Sequence, residues 1–235
     1  MRILVIGIGG VGSYLIEFIT RLLYKSELGK SLYPKIVLMD GDSFEIKNEE
    51  RQIVTMYNEN KATSTAEKYY ELYKANIDGI PEYLTEENIK NFIKEEDVIF
   101  ICTDNYKSRK MISDFSCENL KNFIIINGGN FYYDGAVQIH KRVNGKDIKP
   151  PITKYHKEIR EANDKLPNEM SCEELMNSEP QLHPVNVMVA TLMYWCFFNN
   201  CLKIDDDEKE KVVLKDGEVF EAYFDMRKMI VNPVV

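Results

Sequence analysis

The sequence predicts an α/β fold, with a Rossmann-like, doubly wound and mostly parallel sheet, helices on both faces and a C-terminal antiparallel extension. Three observations predict it. Continuous apolar runs recur along the first half of the chain, as in strands that are buried on both faces. Segments with helical spacing of apolar residues separate these runs, and a glycine-rich turn follows the first of them.

The opening residues form the first βαβ unit. The run "RILVIG" ends in glycine and leads into the turn "GIGGVGS". The segment "GSYLIEFITRLLYKSEL" has apolar residues at helical spacing, and "KIVLMD" is a second buried strand that ends on Asp40. Strand, glycine turn, helix and strand in this order indicate a nucleotide-binding unit.

Further helices and strands alternate as far as residue 143. The segments "KATSTAEKYYELYKA" and "YKSRKMISDFSCENL" are predicted helices, while "DVIFICTD" and "FIIINGG" are predicted buried strands. The segment "GAVQIHKRV" alternates in polarity, which favours an antiparallel strand. "VNVMVATLMYWCFFNN" is apolar on almost every side, which predicts a buried helix.

Three parts of the chain are expected. Residues 1–143 form the Rossmann-like domain, and residues 144–183, rich in charge and proline, form a variable connection or insertion. Residues 184–235 supply a helix and a hairpin that pack on the same domain. Asp216-Gly217 is the hairpin signal in this last part.

Composition excludes several classes of protein. The net charge of -8 disfavours nucleic acid and anionic membranes as partners. No apolar run reaches the roughly 18 residues of a membrane-spanning helix, and the first strand runs directly into the turn, so no signal peptide is expected. Five irregularly spaced cysteines without a CxxC pair predict reduced thiols, a cytoplasmic location and no zinc.

The glycine turn is the first element of the predicted site. Gly7 and Gly9 allow a tight turn and close approach of the backbone to a phosphate, and Gly12 lets the helix pack against the strand. The helix N-terminus offers free N–H groups, to which Ser13 adds a hydroxyl donor. Asp40 can accept hydrogen bonds from a ribose, which suits NAD as well as ATP.

The loop after Asp40 distinguishes these nucleotides better. The segment "DGDSFEIKNEERQ" carries Asp42, Asn48, Arg51 and Gln52, and Lys61 opens the next helix. Two cations and an amide at the phosphate end suit a triphosphate, because they offset charge on leaving pyrophosphate.

A second carboxylate is expected at the same edge of the sheet. Asp104 and Asn105 follow a neighbouring parallel strand, so they lie on the side of the glycine turn. Asp104 is the predicted Mg²⁺ ligand, since Mg²⁺ prefers oxygen.

Together "GIGGVGS", "LMDGDSFEIKNEERQ", Lys61 and "TDNYKSR" resemble the ThiF/MoeB/HesA family of adenylating enzymes, which are related to ubiquitin-activating enzymes. The resemblance covers roughly residues 1–143. It implies that Gly10 and Asp40 bind ATP, that Asn48, Arg51 and Lys61 contact its phosphates, and that Asp104 binds Mg²⁺. The later segment "MSCEELMNSEPQLHPVNVMVATLMYW" looks like the ThiF-related proteins of PRTRC systems.

The resemblance also implies a reaction and partners. A C-terminal carboxylate, usually the glycine of a small ubiquitin-like or sulfur-carrier-like protein, attacks the α-phosphate of ATP. The products are an acyl-adenylate and pyrophosphate, and the enzyme is usually a homodimer. The catalytic candidates are therefore Arg51, Lys61 and Asp104.

A cysteine nucleophile is a further question, because some family members form a thioester. Cys172 in "NEMSCEELM" is the one cysteine in a polar setting, although its glutamate neighbours would raise the pKa of its thiol. Cys102, Cys117, Cys196 and Cys201 are predicted to be packing residues.

Two other functions stay open. An NAD(P)-dependent oxidoreductase would share the turn and Asp40 but leaves Arg51 and Lys61 unexplained. The second is a non-catalytic ThiF-like scaffold that binds nucleotide or a partner. It stays open because the family's CxxC zinc ligands and its arginine-bearing first helix are not found in the sequence.

Overall fold

The computed structural model describes residues 2–26, 33–169, 181–201 and 219–235. The strands in these ranges are β1 Arg2–Ile6, β2 Lys35–Met39, β3 Ile77–Ile80, β4 Asp97–Ile101, β5 Phe123–Asn130, β6 Asp134–Val143, β7 Lys146–Lys149, β8 Glu221–Asp225 and β9 Ile230–Val234. The α-helices are α1 Gly10–Lys25, α2 Lys61–Tyr73, α3 Ile89–Phe92, α4 Tyr106–Asn119, α5 Lys157–Arg160 and α6 His183–Cys201.

All nine strands belong to one sheet, in the order β3-β2-β1-β4-β5-β6-β8-β9, with β7 paired to β6. The five strands from β3 to β5 are parallel, and the pairs that involve β6 to β9 are antiparallel. The predicted fold class is therefore confirmed, including the antiparallel pairing of the segment "GAVQIHKRV".

Each face of the sheet carries its own apolar core. On one face, α1, α2 and α6 cover side chains such as Val5, Phe100 and Ile126. On the other face, α4, the segment 84–93 that contains α3, and Ile152 cover strand side chains such as Leu4 and Ile99. This alternation along each strand is what continuous apolar runs produce when both faces are buried. No helix in the described ranges has the length and apolar character needed to cross a membrane.

The apolar C-terminal helix α6 is buried along most of its length, as predicted. Val185, Val189, Met193 and Phe197 are fully enclosed between α1 and the sheet, whereas Trp195 is 59% exposed. The tail forms a hairpin of β8 and β9. Asp216-Gly217, the predicted hairpin turn, lies outside the described residues.

Residues 150–169 follow β7 and form hydrogen bonds with the rest of the fold at two points. At one end His156 Nε2 lies 2.5 Å from Glu221 Oε1 on β8. Near the other end the Asp164 carboxylate accepts hydrogen bonds from the N–H groups of Tyr106 and Lys107 at the start of α4. This part of the predicted connection is therefore packed against β8 and the start of α4. The domain boundaries themselves stay a prediction.

The contact of His156 predicts a pH-dependent contribution to stability. Glu221 raises the pKa of His156 above its usual value, Glu158 adds to this, and burial opposes it. A raised pKa in the folded state stabilises the protein fully below the unfolded value of 6.5, and this stabilisation is lost as pH rises through the folded value. We expect wild type to exceed His156→Gln in free energy of unfolding by more at about pH 5.5 than at about pH 9.

Denaturant unfolding of both proteins at the two pH values measures this difference. The comparison with His156→Gln is needed because burial lowers the pKa of His140. The contribution of His140 to stability therefore increases with pH, opposite to that of His156. A difference that does not change with pH would refute the linkage.

Candidate functional site

The candidate site lies where the strand order reverses. β1 connects through α1 to β2 on one side, while its other neighbour is β4, so the carboxyl ends of β1 and β4 flank a topological switch point. Ligands of open α/β sheets bind at this place. The glycine turn follows β1, and Asp104 follows β4, so the sequence correctly predicted that both lie at one edge.

The conformation of the turn requires two of its glycines. Gly7 has φ +91°, and a Cβ there would lie 3.0 Å from the backbone of Cys102. A Cβ at Gly12 would lie 2.0 Å from the Gly7 carbonyl oxygen. The backbone of the turn is therefore packed directly against β4 and α1, as the glycine pattern predicted.

The N-terminus of α1 lacks the side-chain cap that α2 and α4 have. Gly9 is its N-cap residue and no side chain in the described ranges caps it. By contrast, Asn60 caps α2 through its Oδ1, and Asn105 caps α4 in the same way. Uncapped N–H groups with a partial positive charge form an anion site, so the geometry at α1 fits a phosphate.

Asp40 supports the turn from the end of β2. Its carboxylate is buried, and its two oxygens accept hydrogen bonds from the N–H groups of Ile8 at 2.6 Å and Asp42 at 2.8 Å. Burial raises the pKa of Asp40, and the charge of Asp42 adds to this, while Lys61 and the two N–H donors oppose it. Each oxygen can accept one further hydrogen bond, as a contact with a ribose hydroxyl would require. The ribose contact stays a prediction.

Asp42 joins the loop to the start of α2. Lys61 Nζ lies 3.0 Å from Asp42 Oδ2, and the Tyr83 hydroxyl donates a hydrogen bond to Asp42 Oδ1. The Lys61 side chain is 8% exposed, so its ammonium is an almost buried cation next to the loop that follows β2. The sequence predicted Asp42 and Lys61 as site residues but missed Tyr83, which follows β3 and has no motif around it.

The other predicted loop residues differ in their surroundings. Asn48 is buried and its Oδ1 accepts a hydrogen bond from the Glu45 N–H, so it shapes the loop. Gln52 is also buried, and its Oε1 has no hydrogen-bond partner in the described part of the chain. Arg51 is half-buried, and its guanidinium forms no ion pair with a described residue. Within the described ranges, the Gln52 amide oxygen and the Arg51 guanidinium therefore keep hydrogen-bonding capacity that suits a polar ligand.

Two buried contacts fix the turn against the rest of the fold. The Ser13 hydroxyl, predicted to be a phosphate donor, is buried and accepts a hydrogen bond from the Ile53 N–H at 3.1 Å. Its observed role is therefore to brace the loop, and its phosphate contact stays a prediction. Asn186 on α6 lies against Gly10, where a Cβ would be 2.2 Å from its Nδ2, and it contacts the Arg51 carbonyl. Sequence patterns did not identify Asn186.

Asp104 and Asn105 occupy different environments after β4. Asp104 is exposed and forms no hydrogen bond or ion pair with the residues described. Asn105 uses Oδ1 to cap α4 at 2.7 Å from Ser108 N, while its Nδ2 is buried without a partner. Asp164 accepts hydrogen bonds from the N–H groups of Tyr106 and Lys107, which follow Asn105, a long-range contact that sequence analysis missed.

Arg109, which follows on α4, has a structural role. Its guanidinium is buried and donates to the carbonyl oxygens of Thr103 at 2.8 Å and Gly128 at 3.2 Å. Burial lowers its pKa, and Tyr106 and Asp104 oppose the shift. These contacts join the segment after β4 to β5.

We expect Arg109→Met to lower the free energy of unfolding by about 2–3 kcal/mol, since buried carbonyls lose a charged donor. Arg227→Met, which removes an exposed arginine paired with Asp225, is the matched control and should change stability by less than about 0.5 kcal/mol. Denaturant unfolding of both variants checks the difference, and equal losses would show that the buried contacts contribute little.

The four described cysteines are not arranged as nucleophiles. Burial raises the pKa of the thiols of Cys102, Cys196 and Cys201 to about 12, and it also raises that of Cys117. Their predicted packing role is confirmed. Cys172, the candidate for thioester formation, lies outside the described residues.

Comparison with known proteins identifies the family. Residues 1–215 match the model of the ThiF family, which is most of the chain. This chain belongs to the ThiF family. The match continues past residue 143, where the recognisable motifs end.

A curated relative of this ThiF-family chain is the "Probable molybdopterin-synthase adenylyltransferase" of Porphyra purpurea. It is 33% identical over 165 residues, which are 68% of this chain and 39% of the relative. The chain thus spans well under half of the length of that protein.

Solved structures share the fold. E. coli MccB, solved with ATP, matches with a TM-score of 0.65 at 15% identity, over 99% of this chain and 62% of MccB. PaaA matches with a TM-score of 0.64 at 14% identity, over 99% of this chain and 72% of PaaA. These likenesses support the doubly wound architecture described above, while the similarity to PRTRC-system proteins stays a prediction.

Proposed function

We propose that this ThiF-family chain adenylates the C-terminal carboxylate of a small ubiquitin-like or sulfur-carrier-like protein, with ATP as the second substrate and pyrophosphate as a product. The observation that carries the proposal is the uncapped N-terminus of α1 at the switch point, in a site that also contains the buried cation of Lys61. A phosphate is the ligand that such a pairing of helix N-terminus and ammonium favours.

The residues present fit ATP. Gly9 has space beside it, because a Cβ there would meet no described atom within 4 Å, so a phosphate can approach the start of α1 at this position. Gly7, Gly10 and Gly12 instead allow the turn to pack closely on its neighbours within the fold. In the proposal Asp40 binds the ribose, and the phosphates lie toward Asn48, Arg51, Gln52 and Lys61. Among the described residues the Gln52 Oε1 has no hydrogen-bond partner and the Arg51 guanidinium no ion pair, which supports a polar ligand there.

The residues present also fit Mg²⁺ that arrives with the nucleotide. Among the described residues, no group of three or more His, Cys, Asp or Glu side chains is placed to hold a metal ion. Asp104 would be one ligand, and phosphate oxygens and water would supply the rest, as is usual for Mg²⁺ at nucleotide sites. The ion would neutralise charge on the phosphates.

The chain's own residues would act by position and charge. An oxygen of the substrate carboxylate attacks the α-phosphorus, the bond from that phosphorus to the bridging oxygen breaks, and pyrophosphate leaves with the electron pair. The ammonium of Lys61 and the guanidinium of Arg51 would stabilise the negative charge that develops on the leaving group. No proton transfer is needed, because the attacking carboxylate is already ionised at neutral pH.

Exchange of labelled pyrophosphate into ATP tests the proposal. The purified chain is mixed with Mg²⁺, ATP and a small carrier protein ending in glycine, with the same carrier amidated at its C-terminus as the control. We expect exchange with the free carboxylate only. Exchange that is equal with both carriers would contradict carboxylate activation, and binding of ATP without exchange across several carriers would favour the scaffold function.

Three related features stay predictions. They are a homodimeric assembly, a cytoplasmic location and a thioester on Cys172. Nucleic acid and membranes are not expected as partners, given the net charge of -8.

A further inference from the structure

Tyr83 lies in direct contact with the backbone that joins Asp40 and Asp42. A Cβ placed on Gly41 would meet ring atoms of Tyr83 at 2.6 to 2.7 Å, so the ring rests on Gly41 with no room for a side chain beneath it. Tyr83 comes from the segment after β3, which makes this a contact between distant parts of the chain. The close packing fixes the position of the phenol.

The Tyr83 hydroxyl shares one carboxylate with Lys61. It donates to Asp42 Oδ1, while Lys61 Nζ lies 3.0 Å from Asp42 Oδ2. The Asp42 side chain is 43% exposed, whereas that of Lys61 is 8% exposed. The carboxylate is therefore the more exposed partner of the ion pair, and the Tyr83 hydroxyl is the contact to its other oxygen.

We propose that Tyr83 is a positioning residue for the nucleotide polyphosphate: its hydroxyl orients Asp42, and Asp42 orients the ammonium of Lys61. This inference rests on the proposed function, in which Lys61 contacts the phosphates.

The backbone around Lys61 is already fixed, which leaves the side chain as the variable part. Lys61 N–H donates to the Asp42 carbonyl at 2.8 Å, and Asn60 Nδ2 donates to the carbonyls of Asp40 and Asp42. A lysine side chain is a flexible stem with four rotatable bonds, and an ion pair with a fixed carboxylate restricts its rotation. Holding a catalytic cation in one place before the ligand arrives increases its contribution to binding.

The hydroxyl stays a donor over the working range of pH. Burial raises the pKa of Tyr83, and its hydrogen bond to Asp42 and the charges of Asp42, Asp40 and Asp104 raise it further. Tyr83 therefore keeps its proton at neutral pH and remains the donor in this hydrogen bond.

Isothermal titration of Tyr83→Phe with ATP in Mg²⁺, and separately with adenosine, tests the role. The variant keeps the ring on Gly41 and removes only the hydroxyl. We expect the Kd for ATP to rise about tenfold, the effect of losing one hydrogen bond to a charged group, while the Kd for adenosine changes by less than about twofold. In an Asp42→Asn background, the same replacement should have no further effect on ATP.

Tyr73→Phe is the matched control, because the Tyr73 hydroxyl also donates to a carboxylate, that of Glu17, at the far end of α2. It should leave both affinities unchanged. Unaltered ATP affinity in Tyr83→Phe overturns the inference, as does equal weakening of ATP and adenosine, which a merely structural role would give.

The titrations also separate this inference from the proposed function. Wild-type protein that binds ATP but exchanges no pyrophosphate contradicts adenylation, and the Tyr83→Phe titrations still decide the positioning role. Wild-type protein that binds no ATP overturns both.

Discussion

Gly12→Ala is expected to cost about 3 kcal/mol or more of stability and to abolish measurable ATP binding. The added Cβ would lie 2.0 Å from the Gly7 carbonyl oxygen, far inside contact distance. Gly7 cannot move away easily, because its backbone packs on Cys102 and its φ of +91° leaves few alternatives. Either α1 or β1 must therefore shift, and the turn loses its shape. Denaturant unfolding and an ATP titration measure the two losses.

Gly9→Ala is the matched control within the same turn. A Cβ on Gly9 meets nothing within 4 Å, so stability should change by less than about 1 kcal/mol. ATP affinity that falls in Gly9→Ala without a loss of stability would place the phosphates beside Gly9. Equal destabilisation by both replacements would contradict the described packing of α1 against β1.

Asp104→Asn is expected to reduce the rate of ATP–pyrophosphate exchange about 10²- to 10³-fold, the range for loss of one preorganised electrostatic contact in an active site. Asn keeps the size of the side chain and removes the charge that would bind Mg²⁺. Because Asp104 is exposed and forms no ion pair with described residues, its folding role is small. The unfolding midpoint should therefore stay at the wild-type value while exchange is lost.

Glu118→Gln provides the charge control for this experiment. Glu118 is exposed near the C-terminal end of α4, so the replacement makes the same change of net charge away from the site. It should exchange like wild type. Equal exchange by wild type and Asp104→Asn at limiting Mg²⁺ would show that Asp104 has no metal role.

The sequence predicted the parts of the site that are local in the chain. The glycine turn, the strand directly before Asp40 and the helix that starts at Lys61 each follow from a run of neighbouring residues. Parallel pairing of β1 with β4 then places Asp104 at the same edge, because strands of one direction end on one side.

The parts that were missed are contacts between distant segments. Tyr83 reaches Asp42, Asn186 lies on Gly10, and Asp164 accepts from the start of α4. Each of these residues is isolated in the sequence, without periodicity or motif around it, and its partner is fixed only by tertiary packing. Ser13 shows a related gap: its place in the motif suggests a ligand contact, which stays a prediction, while the hydrogen bond that it accepts from Ile53 was not foreseen.

A calorimetric comparison of ATP and NAD in the presence of Mg²⁺ tests the central claim most directly. If the uncapped N-terminus of α1 and the Lys61 ammonium form a triphosphate site, ATP binds to the wild-type protein and NAD binds at least about tenfold more weakly. Tighter binding of NAD than of ATP would contradict the claim and favour an oxidoreductase.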